Sequence, residues 1–379
     1  MFGRIGDQLG RKPALLISIW LMALSTCGIG LIPDYDTIGG PILLLLNLRI
    51  FQGISCGGEL IGSMIFVVEH APRAQRRFYG SFVEAGLMSG LLLASLVAWL
   101  IHTSFSDAVV TAWAWRLPFL LGILIGLIGW FIRRSVPETQ LFKESIRLPD
   151  HYLKRYREYT NYAPNALLII GMMLFSCVLS YLIYVFLITY MSNTLHYTMR
   201  QALSVNIVSI TLLVLLMPWI GKLSGRIGRR PVMGLALMGG IVWKWPYFLL
   251  IQQNLAVALL AQLVMTLFAA AYFASSVITI VEMIPVHMRF SIVAFTYAIA
   301  VTLFGSMTPF IALLLVKTKY YSFSLALYLT VCALISSIAV YKVRETRCKA
   351  NADEKNNNYR SGNKDIKGGI TAVAEQLRQ

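Results

Sequence analysis

Charge is scarce in this chain. Asp, Glu, Lys and Arg make up 13% of its 379 residues, 17 of them acidic and 33 basic. A soluble domain is about one quarter charged, so a water-facing globule is excluded. Cysteine is sparse as well: of the five, Cys27, Cys56, Cys177 and Cys332 sit inside apolar runs. An odd count without metal-type spacing excludes a disulfide framework and a zinc cluster. The five histidines (His70, His102, His151, His196 and His287) all fall at loops or run edges, so no buried metal set is expected. No glycine-rich phosphate loop follows a strand pattern, which excludes an ATP-driven engine, and no enzyme signature is present. The first apolar run lacks a small-residue cleavage site and does not read as a signal peptide.

What the chain has in quantity is apolar length. Hydrophobic residues reach 57% and the mean hydropathy is +0.68. About 20 apolar residues cross a bilayer, and ten runs qualify, at 14–32, 41–69, 79–101, 116–135, 166–190, 202–220, 231–251, 255–284, 291–316 and 321–341. In lipid each must close its backbone hydrogen bonds internally, so the fold class is an all-α membrane protein. The loops alternate in charge: 22 Lys and Arg lie on one side of the membrane and three (Arg200, Lys317 and Lys319) on the other. The positive-inside bias predicts both termini on the cytoplasmic side. The excess of 16 positive charges is thus topology, and a nucleic-acid partner is not expected. The spans divide as four in 1–135 and six in 166–345. A polar, basic linker at 136–165 separates them, and a polar tail at 346–379 reads as disordered.

A repeat runs through the chain. "GRIGDQLGRKP" (Gly3 to Pro13) returns as "GKLSGRIGRRP" (Gly221 to Pro231), Glu69 and Pro72 as Glu282 and Pro285, and Glu138-Thr139 as Glu345-Thr346. Their order is kept with offsets of 218, 213 and 207, as two homologous halves with small insertions require. Two spans precede the glycine-basic loop in the second half and none in the first. The repeat therefore predicts a twelve-span pattern entered after its first two spans.

These residues carry a resemblance. The two glycine-basic loops resemble the signature loops of the major facilitator superfamily, and "RIFQGISCGGE" (Arg49 to Glu59) and "EMIPVHMR" (Glu282 to Arg289) resemble its metabolite:H+ symporter family. "GLIPDYDTIG", "PILLL" and "TLHY" are similar to that family's osmolyte carriers. The resemblance implies two pseudo-symmetric helix bundles that alternate access, driven by a proton gradient with no cofactor. It implies a multi-pass protein of a bacterial inner membrane, working as a monomer on a small zwitterionic solute such as proline or glycine betaine. A mono- or dicarboxylate such as 2-oxoglutarate, or an inactive truncated carrier, are the alternatives.

Candidate site residues fall into two groups. Arg49, Gln52, Cys56 and Glu59 lie on one stripe about 80° wide, with Arg49 and Glu59 about 15 Å apart along the helix. Charges facing lipid are costly, so the stripe is expected to face a polar path. There Arg49 would hold an anionic group and Glu59 a proton, or both would be fixed ion pairs. Gly53 and Gly57 beside them suit close helix packing. Glu84, inside the third span, is a second proton-carrier candidate, unless it pairs with Arg76 or Arg77. The cytoplasmic gate implied by the resemblance comprises Gly3, Asp7, Gly10, Arg11 and Lys12, with Gly221, Gly228, Arg229 and Arg230 in the second copy. Gly225 stands where the family often has an acid, which predicts a differently made second latch. Lys244 in "VWKWPY" reads as a snorkelling cation in an interfacial aromatic belt. Tyr181, Tyr184, Phe186 and Tyr190 offer aromatic faces suited to a quaternary ammonium.

Overall fold

A computed structural model describes residues 2, 5, 10–33, 42–72, 75–135, 137, 161–286 and 288–343. Among them, ten helices are long and apolar enough to span a membrane. They are α1 (Lys12–Gly30), α2 (Ile42–His70), α3 (Phe78–Ser104), α4 (Ala114–Ser135) and α5 (Ala163–Asn193). The rest are α6 (Met199–Ile227), α7 (Arg229–Leu250), α8 (Leu255–Glu282), α9 (Arg289–Val316) and α10 (Tyr321–Lys342). Every span expected from hydropathy is present, with ends within three residues except at α6, which runs seven residues past its apolar run until Gly228 stops it. At the start of α6 stands a capping box, Thr198 with Gln201, and at the start of α8 the Asn254 side chain accepts from Val257 N–H. Each such cap is worth about 1 kcal/mol.

Four spans precede residue 136 and six follow residue 161. In the four-span half, α1 lies against α2 and α4, and α2 lies against α3. In the six-span half, α8 packs on α6 and α7, α10 on α5 and α7, and α9 on α5. Four pairings join the halves: α3 with α6 and α8, and α2 with α8 and α9. The boundary between the halves is thus built from α2 and α3 on one side and α6, α8 and α9 on the other.

The repeat recurs as geometry. Gly10 caps α1 at φ 120° and Gly228 caps α7 at φ 114°, a backbone conformation that glycine alone adopts without strain. After α2, Gln75 N–H donates to Pro72 O (2.8 Å) and Arg76 Nε donates to Ala71 O (3.3 Å). After α8, Met288 N–H donates to Pro285 O (3.2 Å) and Arg289 Nε donates to Ile284 O (3.1 Å). These two turns keep the 213-residue offset seen in the sequence.

Two readings are corrected. Lys244 is fully buried, not snorkelling. It shares the inward stripe of α7 with Met233, Leu237, Gly240 and Tyr247, spaced at three and four residues, so helix register sends its amine into the six-span half. And a Cβ at Gly53 or Gly57 would meet nothing within 4 Å. That face of α2 is open among the described residues rather than a close-packing seam. The linker at 136–165 is described only at 137 and 161–165, and the tail at 346–379 lies outside the described residues.

Candidate functional site

The boundary between the halves is where a path for a solute must run. On α3 the residues turned to it are Ser81, Ala85, Met88 and Ser95, all buried and spaced by three, four or seven. Gly80 lies against Ile278 of α8, where an added Cβ would come within 2.6 Å of Ile278 Cγ1. Ser95 Oγ accepts from Asn206 Nδ2 of α6 at 3.2 Å. Glu84 stands on this same stripe between Ser81 and Met88. It is part-buried, and it makes no hydrogen bond or ion pair with a described residue. Arg76, named as a possible partner, bonds Ala71 O instead.

Tyr297 of α9 stands within electrostatic range of Glu84, of Cys56 on α2 and of Cys177 and Tyr181 on α5. Five side chains from four helices and both halves thus lie in one neighbourhood, a carboxyl and two phenols among them. Cys56 belongs to the stripe read from the sequence, whereas Tyr297 and Cys177 carry no motif, and inside uniformly apolar runs no sequence signal separates those two from lipid-facing neighbours. Of the four aromatics read as a cage, only Tyr181 belongs to this neighbourhood. Tyr184, Phe186 and Tyr190 are 0%, 4% and 1% exposed inside the six-span half. Tyr184 Oη donates to Thr266 Oγ1 there at 3.2 Å.

The α2 stripe splits. Arg49 is exposed, and its Nη1 donates to Gln52 Oε1 at 3.1 Å, while Gln52 Nε2 donates to Thr26 Oγ1 at 2.7 Å. Among the described residues the guanidinium has no other hydrogen-bond partner. Glu59, one turn beyond Cys56, accepts from Arg133 Nη2 of α4 at 3.0 Å, an ion pair inside the four-span half.

At the end bearing the basic loops the halves are clamped. Arg229 grips Glu282 with two bonds, Nη1 to Oε2 at 2.6 Å and Nη2 to Oε1 at 2.8 Å, a bidentate geometry that ties α7 to α8. Arg289 Nη1 donates to Glu69 Oε1 at 3.2 Å, and this pair crosses from α9 to α2. Glu69's side chain is sealed from solvent and Arg289's is 11% exposed. Below them Gly62 of α2 meets Phe290 of α9, an added Cβ falling 3.3 Å from the ring. Lys12 Nζ donates to Arg134 O at 2.7 Å, and its repeat mate Arg230 lies 4.3 Å over the Tyr341 ring. In the second copy of the repeat, with glycine at position 225, the acid that meets Arg229 is Glu282. Gly221 is buried where α6 nears its end, Gly10 and Gly228 are the caps already described, and Arg11 opens the first helix. Gly3 and Asp7 lie outside the described residues.

Two helical halves, with an acid at their boundary that no described residue partners and an ion pair crossing between them at one end, define a membrane carrier. The chain belongs to the Major Facilitator Superfamily, whose pattern matches residues 1–309. It is a multi-pass membrane transporter, not an enzyme. It is 34% identical over 358 residues to the proline/betaine transporter of Escherichia coli K12, covering 91% of this chain and 71% of that one. It is 33% identical over 361 residues to the glycine betaine/proline/ectoine/pipecolic acid transporter OusA of Dickeya dadantii, covering 92% and 72%. Among solved structures, the proton:xylose symporter XylE bound to 6-bromo-6-deoxy-D-glucose superposes with a TM-score of 0.72 at 19% identity, covering 91% and 82%. The E. coli fucose:proton symporter FucP superposes with a TM-score of 0.68 at 12% identity, covering 91% and 87%.

Proposed function

We propose that the chain is a proton-coupled symporter that carries a small zwitterionic compatible solute, of the proline or glycine betaine kind, by alternating access. The observation that carries this reading is Glu84: a carboxyl without a partner among the described residues, on the face of one half that meets the other. Bringing an unpaired carboxylate into a closed boundary is unfavourable, whereas its protonated form enters at far lower cost. A proton on Glu84 therefore favours approach of the halves, and its release favours their separation. A zwitterion bound between the halves contributes contacts to both walls and lowers the barrier to the same motion. The substrates for which the relatives are named support the solute class. The loop charge bias supports a bacterial inner membrane with both termini in the cytoplasm. Glu69, Arg289 and the Arg229–Glu282 pair then form the cytoplasmic gate, and the chain works as a monomer on the proton gradient alone.

Purified protein in liposomes with an imposed pH gradient tests this. Labelled glycine betaine is expected to accumulate above its equilibrium level, and a protonophore to abolish the accumulation. Uptake indifferent to the protonophore overturns proton coupling. The remaining donors of Arg49 support a second reading, a carboxylate substrate, and accumulation of 2-oxoglutarate instead of betaine selects it. An inactive carrier binds and moves neither.

A further inference from the structure

Two spans of the six-span half leave regular α-helical geometry. In α5 the backbone runs as π-helix over Tyr181–Phe186, and in α9 over Val301–Gly305. Such segments are short and unfavourable, and they persist mainly at functional sites. These two touch each other. A Cβ added to Gly305 would lie 2.9 Å from Cε2 and 3.2 Å from Cδ2 of Tyr181, and 3.6 Å from Cβ of Cys177. Gly305, the last residue of one π segment, is a notch that receives the ring of Tyr181, the first residue of the other.

The notch fixes how deep the ring stands. With one edge seated on Gly305, the ring is part-buried and lies within electrostatic range of Cys56 of the opposite half. No partner for its hydroxyl is found among the described residues. An aromatic face held at set depth in a water-poor boundary attracts a cation, and most strongly one whose charge is spread over methyl groups rather than hydrogen-bonded.

We propose that Tyr181 is the solute-positioning aromatic of the six-span half, and that Gly305 sets its depth and thereby the choice between a quaternary ammonium and a smaller ring ammonium. The proposal rests on the zwitterion reading above and deepens it.

Equilibrium binding of labelled glycine betaine and of labelled proline to the purified full chain tests it without requiring transport. Tyr181→Phe keeps both affinities within about twofold. Tyr181→Leu weakens betaine roughly tenfold and proline much less, the scale of one desolvated cation–π contact. Gly305→Ala displaces the ring and changes the betaine-to-proline affinity ratio at least threefold, on the same scale. In the Tyr181→Leu background Gly305→Ala changes nothing further, because the ring it displaces is gone. A ratio untouched by both single variants overturns the proposal, as does a Gly305→Ala effect of equal size with and without the ring. Thermal unfolding midpoints in detergent identify variants that fail to fold. Tyr181→Phe combined with Gly305→Ala then takes their place: it is expected to shift the ratio as Gly305→Ala does, and an unshifted ratio overturns the proposal. If the unaltered chain binds neither solute, the zwitterion reading falls and this inference with it. If it binds both and the ratio never moves, this inference alone falls.

Discussion

Replacing Glu69 by Gln removes the charge that Arg289 holds across the boundary. The pair is 3.2 Å apart, with one side chain sealed from solvent and the other 11% exposed. Truncating one member of a buried, hydrogen-bonded charge pair costs about 2–5 kcal/mol, much of it from the charge left behind. At 1.4 kcal/mol per factor of ten, the closed arrangement at the basic end loses roughly thirtyfold or more in population relative to the open one. A reporter is available in Ser81, fully buried on the boundary face of α3, with its hydroxyl bonded locally to Phe78 O at 2.7 Å. Ser81→Cys, in a chain whose native cysteines are replaced, is expected to react slowly with a membrane-impermeant maleimide applied from the side of the basic loops. Adding Glu69→Gln raises that rate by at least about tenfold. Arg289→Gln does the same, and the two together do little more than either, since each alone already breaks the pair. Glu69→Gln labelling within twofold of the parent, or fully additive effects, refutes the reasoning.

Three further outcomes are expected. Glu59→Gln and Arg133→Gln each destabilise the fold by about 1–3 kcal/mol, seen as a lower thermal unfolding midpoint in detergent, while leaving protonophore sensitivity of uptake intact. A loss of proton coupling in Glu59→Gln, with unchanged stability, returns Glu59 to the pathway. Lys244→Met raises the unfolding midpoint, because the buried amine has no hydrogen-bond partner among the described residues and an apolar chain of similar length fills its place. A lower midpoint means that the amine has a stabilising role. Gly228→Ala destabilises the start of α7 by about 1–3 kcal/mol, since a side chain at φ 114° is strained, and it is seen as faster proteolysis of the loop before α7.

The spans and the internal repeat were legible in the sequence because each depends on composition or spacing. A helix in lipid has no alternative way to satisfy its backbone, so hydropathy alone locates it. The glycine-basic loops were readable because positive φ at Gly10 and Gly228 demands glycine. What a side chain meets across the chain was not legible. Glu59 read either as a proton carrier or as one member of a fixed ion pair, and its partner, Arg133 on another helix, had no signal in the sequence. Glu69 and Glu282 occupy matching places in the repeat, yet Glu282 grips Arg229 of its own half while Glu69 reaches Arg289 of the other. Lys244 sits among tryptophans, as belt lysines do, but the period of α7 turns it inward. The π segments at Tyr181 and Val301 arise from tertiary packing and have no signature in an apolar run.

The central claim is that Glu84 takes up the coupling proton at the boundary. A weakly buffered suspension of liposomes holding the protein reports it directly: adding glycine betaine outside is expected to make the medium transiently alkaline, as protons enter with the solute. Glu84→Gln is expected to abolish that signal while preserving exchange of labelled for unlabelled betaine across the membrane. A full alkaline transient from Glu84→Gln, or none from the unaltered chain while it accumulates betaine, contradicts the account.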